Sequence, residues 1–250
     1  MKDVRGTVCN NTKVADDTFL LSLDCDLPDS RPGQFVMVKV ACGYEPFLRR
    51  PFAILSNHKQ TLEILYKVKG RGTQLLAEKR PGDILSILGP LGNGFSVPEE
   101  KRQVVYVAGG TGLPPVLSLA EDLKQGVLIF GAQSKDQIPL MSRISSLPGV
   151  ELKVATEDGS YGFMGLATDL LDELTGNARG PVSIYACGPK GMLLATSECA
   201  RRTGSRCELS LEEFMSCGFG VCSGCVVETI HGNKRVCRDG PVFDAQDILF

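Results

Sequence analysis

The sequence predicts an α/β plus β protein in three parts: a six-stranded antiparallel barrel, a parallel α/β domain and a small cysteine-bearing tail. Three observations predict it. The first hundred residues read as short alternating runs separated by Pro, Gly, Asn and Asp clusters, the pattern of an antiparallel barrel. From Val104 onward, apolar runs alternate with helical patterns, which implies βαβ units and a parallel sheet. Finally, four of the ten cysteines fall within 21 residues near the end. The expected boundaries are residues 1–100, 101–208 and 209–250.

In the barrel, strands are expected at Val4–Asn10, Thr18–Leu23, Gln34–Ala41, Phe52–Ser56, Leu62–Val68 and Ile84–Leu88, with one helix at Thr73–Glu78. Arg49-Arg50-Pro51 enters the fourth strand. Guanidinium groups bind phosphate bidentately, although a solvated arginine pair has the same sequence. Lys69-Gly70-Arg71-Gly72-Thr73 opens the helix, and a helix N-terminus behind glycines attracts anions. Gly89-Pro90-Leu91-Gly92-Asn93-Gly94-Phe95 closes the barrel. Together the three features suit a dinucleotide-like cofactor.

A charged linker, Pro98-Glu99-Glu100-Lys101-Arg102, precedes the second part. Val104–Val107 reads as a buried parallel strand. It runs into Gly109-Gly110-Thr111-Gly112 and then a helix through Lys124. Strand, glycine turn and helix form a phosphate-binding arrangement; a tight structural turn is the other reading. Further strands are expected at Val127–Phe130, Glu151–Thr156 and Ser183–Ala186, and helices at Pro139–Ser146, Ala167–Leu174 and Lys190–Arg201. Cofactors sit at the carboxyl ends of such strands. Two ends carry candidates: Glu157-Asp158, and Cys187-Gly188-Pro189. Acidic groups accept from a ribose 2′-OH and repel a 2′-phosphate, and no Arg or Lys lies in Ala155–Gly162. NAD(H) is therefore expected over NADP(H).

In the tail, Glu208–Glu213 reads as a strand, followed by a loop and a hairpin of Val226–Ile230 with Arg235–Val236. Gly240-Pro241-Val242-Phe243-Asp244 reads as an extended cap on the barrel. Cys217, Cys222, Cys225 and Cys237 are spaced C-x4-C-x2-C-x11-C. The first three follow the plant-type [2Fe–2S] pattern, and the glycines between them let a loop wrap a cluster closely. A structural zinc site takes four cysteines too, but usually as two short knuckles. A disulfide pair is a third reading. Cys9, Cys25, Cys42, Cys199 and Cys207 fall in strand- or helix-like contexts and read as small buried hydrophobes.

Composition narrows the function. The 250 residues are 43% hydrophobic and 22% charged, an ordinary globular balance. A net charge of -2 carries no nucleic-acid footprint. The start, Met-Lys-Asp-Val-Arg, lacks an apolar stretch, and no run of about 18 apolar residues follows, so a cytoplasmic location is expected. Only two histidines occur, so histidine-based acid–base catalysis has few candidates; His231 reads as a solvated turn residue.

Arg50-Pro51-Phe52-Ala53 resembles the R-x-[YF]-[ST] flavin motif of the ferredoxin-reductase superfamily, with Ala53 where Ser or Thr is usual. Gly72-Thr73 and the Gly89–Phe95 loop resemble that superfamily's further flavin contacts, and Cys187-Gly188-Pro189 its nicotinamide motif. Ser160-Tyr161-Gly162, the four tail cysteines and Arg235–Phe243 narrow the likeness to the electron-transfer subunits of B-type dihydroorotate dehydrogenase. The resemblance implies FAD at Arg50, Pro51, Phe52, Ala53, Leu65, Tyr66, Lys67, Gly72 and Thr73. It implies NAD at Gly109, Gly110, Gly112, Glu157, Asp158, Cys187, Gly188 and Pro189, and a [2Fe–2S] cluster on the four tail cysteines. Hydride would pass between nicotinamide C4 and flavin N5, and single electrons between flavin and cluster. The implied partner is an FMN-containing catalytic subunit that oxidises dihydroorotate, in a two-plus-two heterotetramer serving pyrimidine biosynthesis. A related subunit of a ferredoxin:NADP oxidoreductase, hydrogenase or sulfur reductase is the alternative, as is a zinc-stapled flavin protein.

Overall fold

The computed structural model describes residues 1–41, 43, 45–98 and 102–250. Cys42 and the Glu99-Glu100-Lys101 part of the expected linker lie outside them.

The barrel is one antiparallel sheet of β1 (Lys2–Ala15), β2 (Thr18–Asp24), β3 (Phe35–Lys39), β4 (Arg50–Ala53), β5 (Ser56–His58), β6 (Thr61–Lys67) and β7 (Ile84–Leu91), with helix α1 (Arg71–Ala77) before β7. Their order is β4-β3-β7-β1-β2-β6-β5. Among the described residues there are seven strands where six are expected, because Phe52–Ser56 divides between the two edges. The division closes the barrel. Ile54 donates its N–H to Gln34 O on the β3 side, and Leu55 donates to Glu63 O on β6, both at 3.0 Å. Val8, Leu21, Leu23, Val36, Val38, Leu62, Ile64 and Ile87 fill the interior. Along β3, Val36 and Val38 point inward, so Phe35 and Met37 stand on the outer face, where they join a different core.

The second sheet holds β8 (Gln103–Gly109), β9 (Gly126–Ala132), β10 (Val150–Thr156), β11 (Phe163–Met164), β12 (Val182–Cys187) and β13 (Arg206–Ser210) in parallel. Between them run α2 (Leu113–Leu123), α3 (Met141–Ser145), α4 (Ala167–Gly176) and α5 (Lys190–Thr203). Strand β8 is buried on both faces: Val105 and Val107 enter one core, Val104 and Tyr106 the other. Chain order reverses between β8 and β12, the switch point at which α/β sheets bind ligands.

The tail contributes a two-stranded ribbon, β14 (Val226–Thr229) with β15 (Gly232–Arg235), a helical turn α6 (Val236–Asp239) and β16 (Val242–Asp244). The expected second hairpin arm at Arg235–Val236 thus begins earlier, and Cys237 lies on α6. Strand β16 pairs antiparallel with β13, so the extended cap joins the second sheet. It also meets the barrel: Asn93 donates to Gly240 O, and Val242 packs on Gly33 and Phe95. The expected 208/209 boundary falls inside β13.

The parts are tied together. Arg143 on α3 donates to Glu121 on α2 at 2.6 and 2.9 Å and to Glu63 of the barrel at 2.8 Å. Asp16 donates its N–H to Asp136 O at 2.9 Å. Of the cysteines read as buried hydrophobes, Cys25, Cys199 and Cys207 are buried, but Cys9 is exposed because its side of β1 faces solvent. His231 is exposed in the β14–β15 turn, 3.4 Å from Asp247.

Candidate functional site

A cleft of about 420 Å³ opens where barrel, second sheet and tail meet. Its barrel wall is the outer face of β3–β4 with the end of β6: Phe35, Pro51, Phe52, Ala53, Leu65, Tyr66 and Lys67, joined by Lys69 and Thr73. Strand pairing sets Phe35 opposite Ala53 and Met37 opposite Pro51. Tyr66 stacks on Phe19 at 5.7 Å and meets Phe52 at 5.8 Å, giving the wall an aromatic base. Its hydroxyl donates to Asn11 Oδ1 at 2.9 Å, and Asn11 Nδ2 donates to Leu76 O at the end of α1 at 2.8 Å. Asn11 thereby fixes both Tyr66 and α1. Nothing in its sequence context marks it, since its partners lie 55 and 65 residues away.

The arginine pair divides into two roles. Arg49 is fully engaged: it donates to Ser86 Oγ and Asp3 at 2.9 Å, to Ser86 O at 3.1 Å and to Met37 O at 3.3 Å. Arg50 lies over Gly72, where an added Cβ would stand 2.8 Å from its Nε. Gly72 therefore makes room for Arg50. The Thr73 hydroxyl accepts from the Lys69 and Gly70 N–H groups at 2.9 and 3.1 Å and so caps the helix start. Ala53 lines the cleft with a methyl group where the resemblance expects a hydroxyl. The Gly89–Phe95 loop stays off the cleft. A Cβ on Gly92 would stand 2.5 Å from Pro241 Cδ, so this loop clamps the tail instead.

Across the cleft stand Thr111, Pro115 and Cys187, at the carboxyl ends of β8 and β12. The two end loops interlock. A Cβ on Gly112 would fall 2.2 Å from Cys187 O, and one on Gly109 2.9 Å from Pro189 Cδ. One on Gly188 would fall 2.4 Å from Met192 Cε. These glycines let the two end loops pack closely. Gly110, at φ +54°, faces open space. Helix α2 begins Leu113-Pro114-Pro115, and the prolines remove two first-turn donors. Cys187 is buried, and desolvation pushes its thiol well above the usual range. Glu157 and Asp158 lie exposed on the turn after β10. Asp158 Oδ1 accepts from the Ser160 hydroxyl at 2.6 Å and the Ser160 N–H at 2.9 Å, which lowers its pKa.

The segment Ser210–Met215 completes the cleft. Glu212 stands exposed at the cleft rim, where partial desolvation raises its pKa and Lys69 draws it back. Glu212 and Lys69 carry no motif; only the fold sets them together.

The four tail cysteines stand as two pairs. Desolvation raises the Cys217 pKa, but N–H groups of Cys222, Phe219 and Val221 and the Cys222 thiol more than offset it, holding the thiol down at about 6. Cys225 and Cys237 are both buried, and the Cys237 N–H reaches Cys225 Sγ at 3.4 Å. Burial and the Cys225 thiol push Cys237 up to about 12. Four thiols in two pairs suit a diiron cluster, two thiolates to each iron. Among the described residues no three His, Cys, Asp or Glu side chains gather as around a single metal ion. Gly218 and Gly220, at φ +81° and +88°, allow the N–H groups to turn inward on Cys217. Arg235 holds the loop from outside, donating to Gly220 O at 2.9 Å and to Asp239 at 3.2 Å.

The cleft and the cysteine loop share one strand. Phe35 lines the cleft, and Met37, two residues on, packs on Gly218. That step is about 7 Å along β3.

Residues 212–249 match the family described as the iron–sulfur cluster binding domain of dihydroorotate dehydrogenase B, and residues 5–95 the oxidoreductase FAD-binding domain family. Over 251 residues the chain is 38% identical to the dihydroorotate dehydrogenase B (NAD(+)) electron transfer subunit of Caldanaerobacter subterraneus, covering 99% of this chain and 98% of that one. The subunit of the same name from Geobacillus kaustophilus is 41% identical over 98% of both chains. Among solved structures, one of an NADH-dependent reduced ferredoxin-NADP oxidoreductase superposes with a TM-score of 0.87 at 28% identity, covering 98% of this chain and 89% of that one. A ferredoxin reductase of carbazole 1,9a-dioxygenase shares the fold, with a TM-score of 0.71 at 22% identity over 82% of this chain and 66% of that one.

Proposed function

As the chain belongs to the family of dihydroorotate dehydrogenase B electron transfer subunits, we propose that it passes electrons between NAD(H), FAD and a [2Fe–2S] cluster, to or from the FMN of a catalytic partner. The observation that carries this reading is the shared strand. Its Phe35 end faces the cleft and its Met37 end faces the cysteine loop, so one short wall separates two cofactor sites.

FAD fits the cleft, and its place is the wall of Pro51, Phe52, Ala53, Leu65, Tyr66 and Lys67, with Arg50, Gly72 and Thr73 toward its phosphates. The aromatic base, and the seat of Arg50 over Gly72 at the start of α1, support that assignment. NAD belongs on the opposite wall, at Gly109, Gly110, Gly112, Cys187, Gly188 and Pro189, with Glu157 and Asp158 toward the ribose. The cluster belongs on Cys217, Cys222, Cys225 and Cys237. Bound FAD supplies hydride exchange with NAD(H) and single-electron exchange with the cluster.

The chain's own residues bind, orient and shield. Phe52 and Tyr66 present an apolar face that excludes water. Interlocked glycines bring Cys187 to the cleft beside Thr111 and Pro115. The N–H groups around Cys217 stabilise negative charge on its sulfur and so on a cluster held there. Residues 1–100, 101–208 and 209–250 then divide as FAD-, NAD- and cluster-bearing parts. The partner docks at the cysteine loop, where Phe219 and Val221 are exposed beside the ligands. Two copies of each subunit make the complex, in the cytoplasm; no helix among the described residues is long and apolar enough to cross a membrane.

The test is co-expression with an FMN-containing dihydroorotate dehydrogenase catalytic subunit, followed by anaerobic spectra. Co-purification, and flavin and cluster bands that dihydroorotate bleaches and NAD restores, are expected. A chain that binds flavin and iron, accepts electrons from NADH, yet neither binds that subunit nor responds to dihydroorotate would overturn the partner.

A further inference from the structure

We propose that Met37 is a positioning residue for electron transfer: its side chain is the wedge that seats the cysteine loop against the outer face of β3. The inference rests on the reading that FAD fills the cleft and a cluster the four thiols.

Met37 is fully buried although it stands outside the barrel interior. What buries it is the tail: it shares an apolar core with Leu211, Cys225, Val236 and Cys237. The contact with the loop is specific. A Cβ on Gly218 would stand 2.4 Å from Met37 Cγ and 2.9 Å from its Sδ, so the loop backbone rests directly on the thioether. Gly218 is next to the ligand Cys217. On its other side, Met37 is paired with Pro51, a cleft residue. A single side chain thus sets the spacing between the flavin wall and the first ligand.

The backbone of Met37 is held separately. Its carbonyl accepts from Arg49, which is anchored in turn to Ser86 and Asp3, and its strand pairs with β4 and β7. Truncating the side chain therefore removes the wedge and leaves the strand. Leucine keeps most of the volume; alanine does not.

The experiment uses the full chain with its cofactors. Parent, Met37→Ala and Met37→Leu proteins are mixed anaerobically with NADH, and flavin and cluster absorbance are followed at separate wavelengths. Iron and flavin per chain are measured alongside. For Met37→Ala, flavin bleaching keeps its parental rate while cluster bleaching slows severalfold and falls behind it, because the loop has left its native spacing from the flavin wall. Met37→Leu restores the rate. A Met37→Ala protein that keeps its flavin but loses iron supports the proposal equally, since the loop has lost its seat. Cluster bleaching that keeps pace with flavin overturns it, as does loss of flavin together with iron, or a Met37→Leu protein as slow as Met37→Ala. A parent chain without flavin or iron would instead defeat the underlying functional reading.

Discussion

Gly72→Ala offers a test of the flavin-phosphate assignment without touching a polar group. The new methyl would stand 2.8 Å from Arg50 Nε, closer than contact allows, so Arg50 must swing away. A charge-assisted hydrogen bond from a guanidinium contributes about 1.5–3 kcal/mol, or between ~10- and ~150-fold in Kd. Gly72→Ala should weaken FAD binding by a factor in that range, and Arg50→Ala by a similar one. The double variant should bind no more weakly than Arg50→Ala alone, because the three atoms nearest the new methyl all belong to the Arg50 side chain. Gly72 lies inside α1, where alanine is favoured over glycine by about 1 kcal/mol. The folded protein should therefore gain stability from Gly72→Ala in the Arg50→Ala background. Titrating flavin-free protein with FAD by fluorescence quenching closes the four-way cycle. Additive losses, with the double variant weaker than either single, would refute the claim that Gly72 acts by making room for Arg50.

Three further outcomes are expected. Arg143→Ala removes the clamp between α2, α3 and the barrel; a loss of about 2 kcal/mol corresponds to ~4–8 °C in Tm for a chain of this size, readable by calorimetry. In cluster-free protein, Cys217 should be alkylated by iodoacetamide ahead of the buried Cys225 and Cys237, with a rate that falls as pH drops through about 6. Its depressed pKa stabilises the folded cluster-free loop fully above the ordinary thiol value of 9.0, and that stability fades as pH falls toward 6. Cys237→Ser should lower iron and sulfide per chain while FAD content stays at the parental value, because this residue faces the tail core and not the cleft.

Much of the fold was legible because periodicity is local. Alternation in β7 and the unbroken apolar run of β8 report one buried face and two. The split of Phe52–Ser56 was not legible. Ile54 and Leu55 look like strand interior, and only the positions of Gln34 and Glu63 send them to opposite edges. The same limit applies at the site. Cysteine spacing and the Arg50-Pro51-Phe52 run announce themselves, since their chemistry sits in contiguous residues. Asn11, Lys69 and Glu212 act through partners far away in sequence, and Gly92 looks like a cofactor glycine although it accommodates Pro241.

The pairing of β13 with β16 decouples the tail from the register of the second sheet. Leu211 N–H meets Pro241 O at 2.9 Å, and Ser210 faces Val242 across the ladder. The whole cysteine-bearing stretch therefore leaves and re-enters the sheet at neighbouring points, like an insert spliced into a hairpin. Closing a long excursion costs little more than closing a short one. The length of the excursion therefore makes no demand on the register of the parallel strands, and the sheet carries the whole cysteine-bearing stretch at one edge.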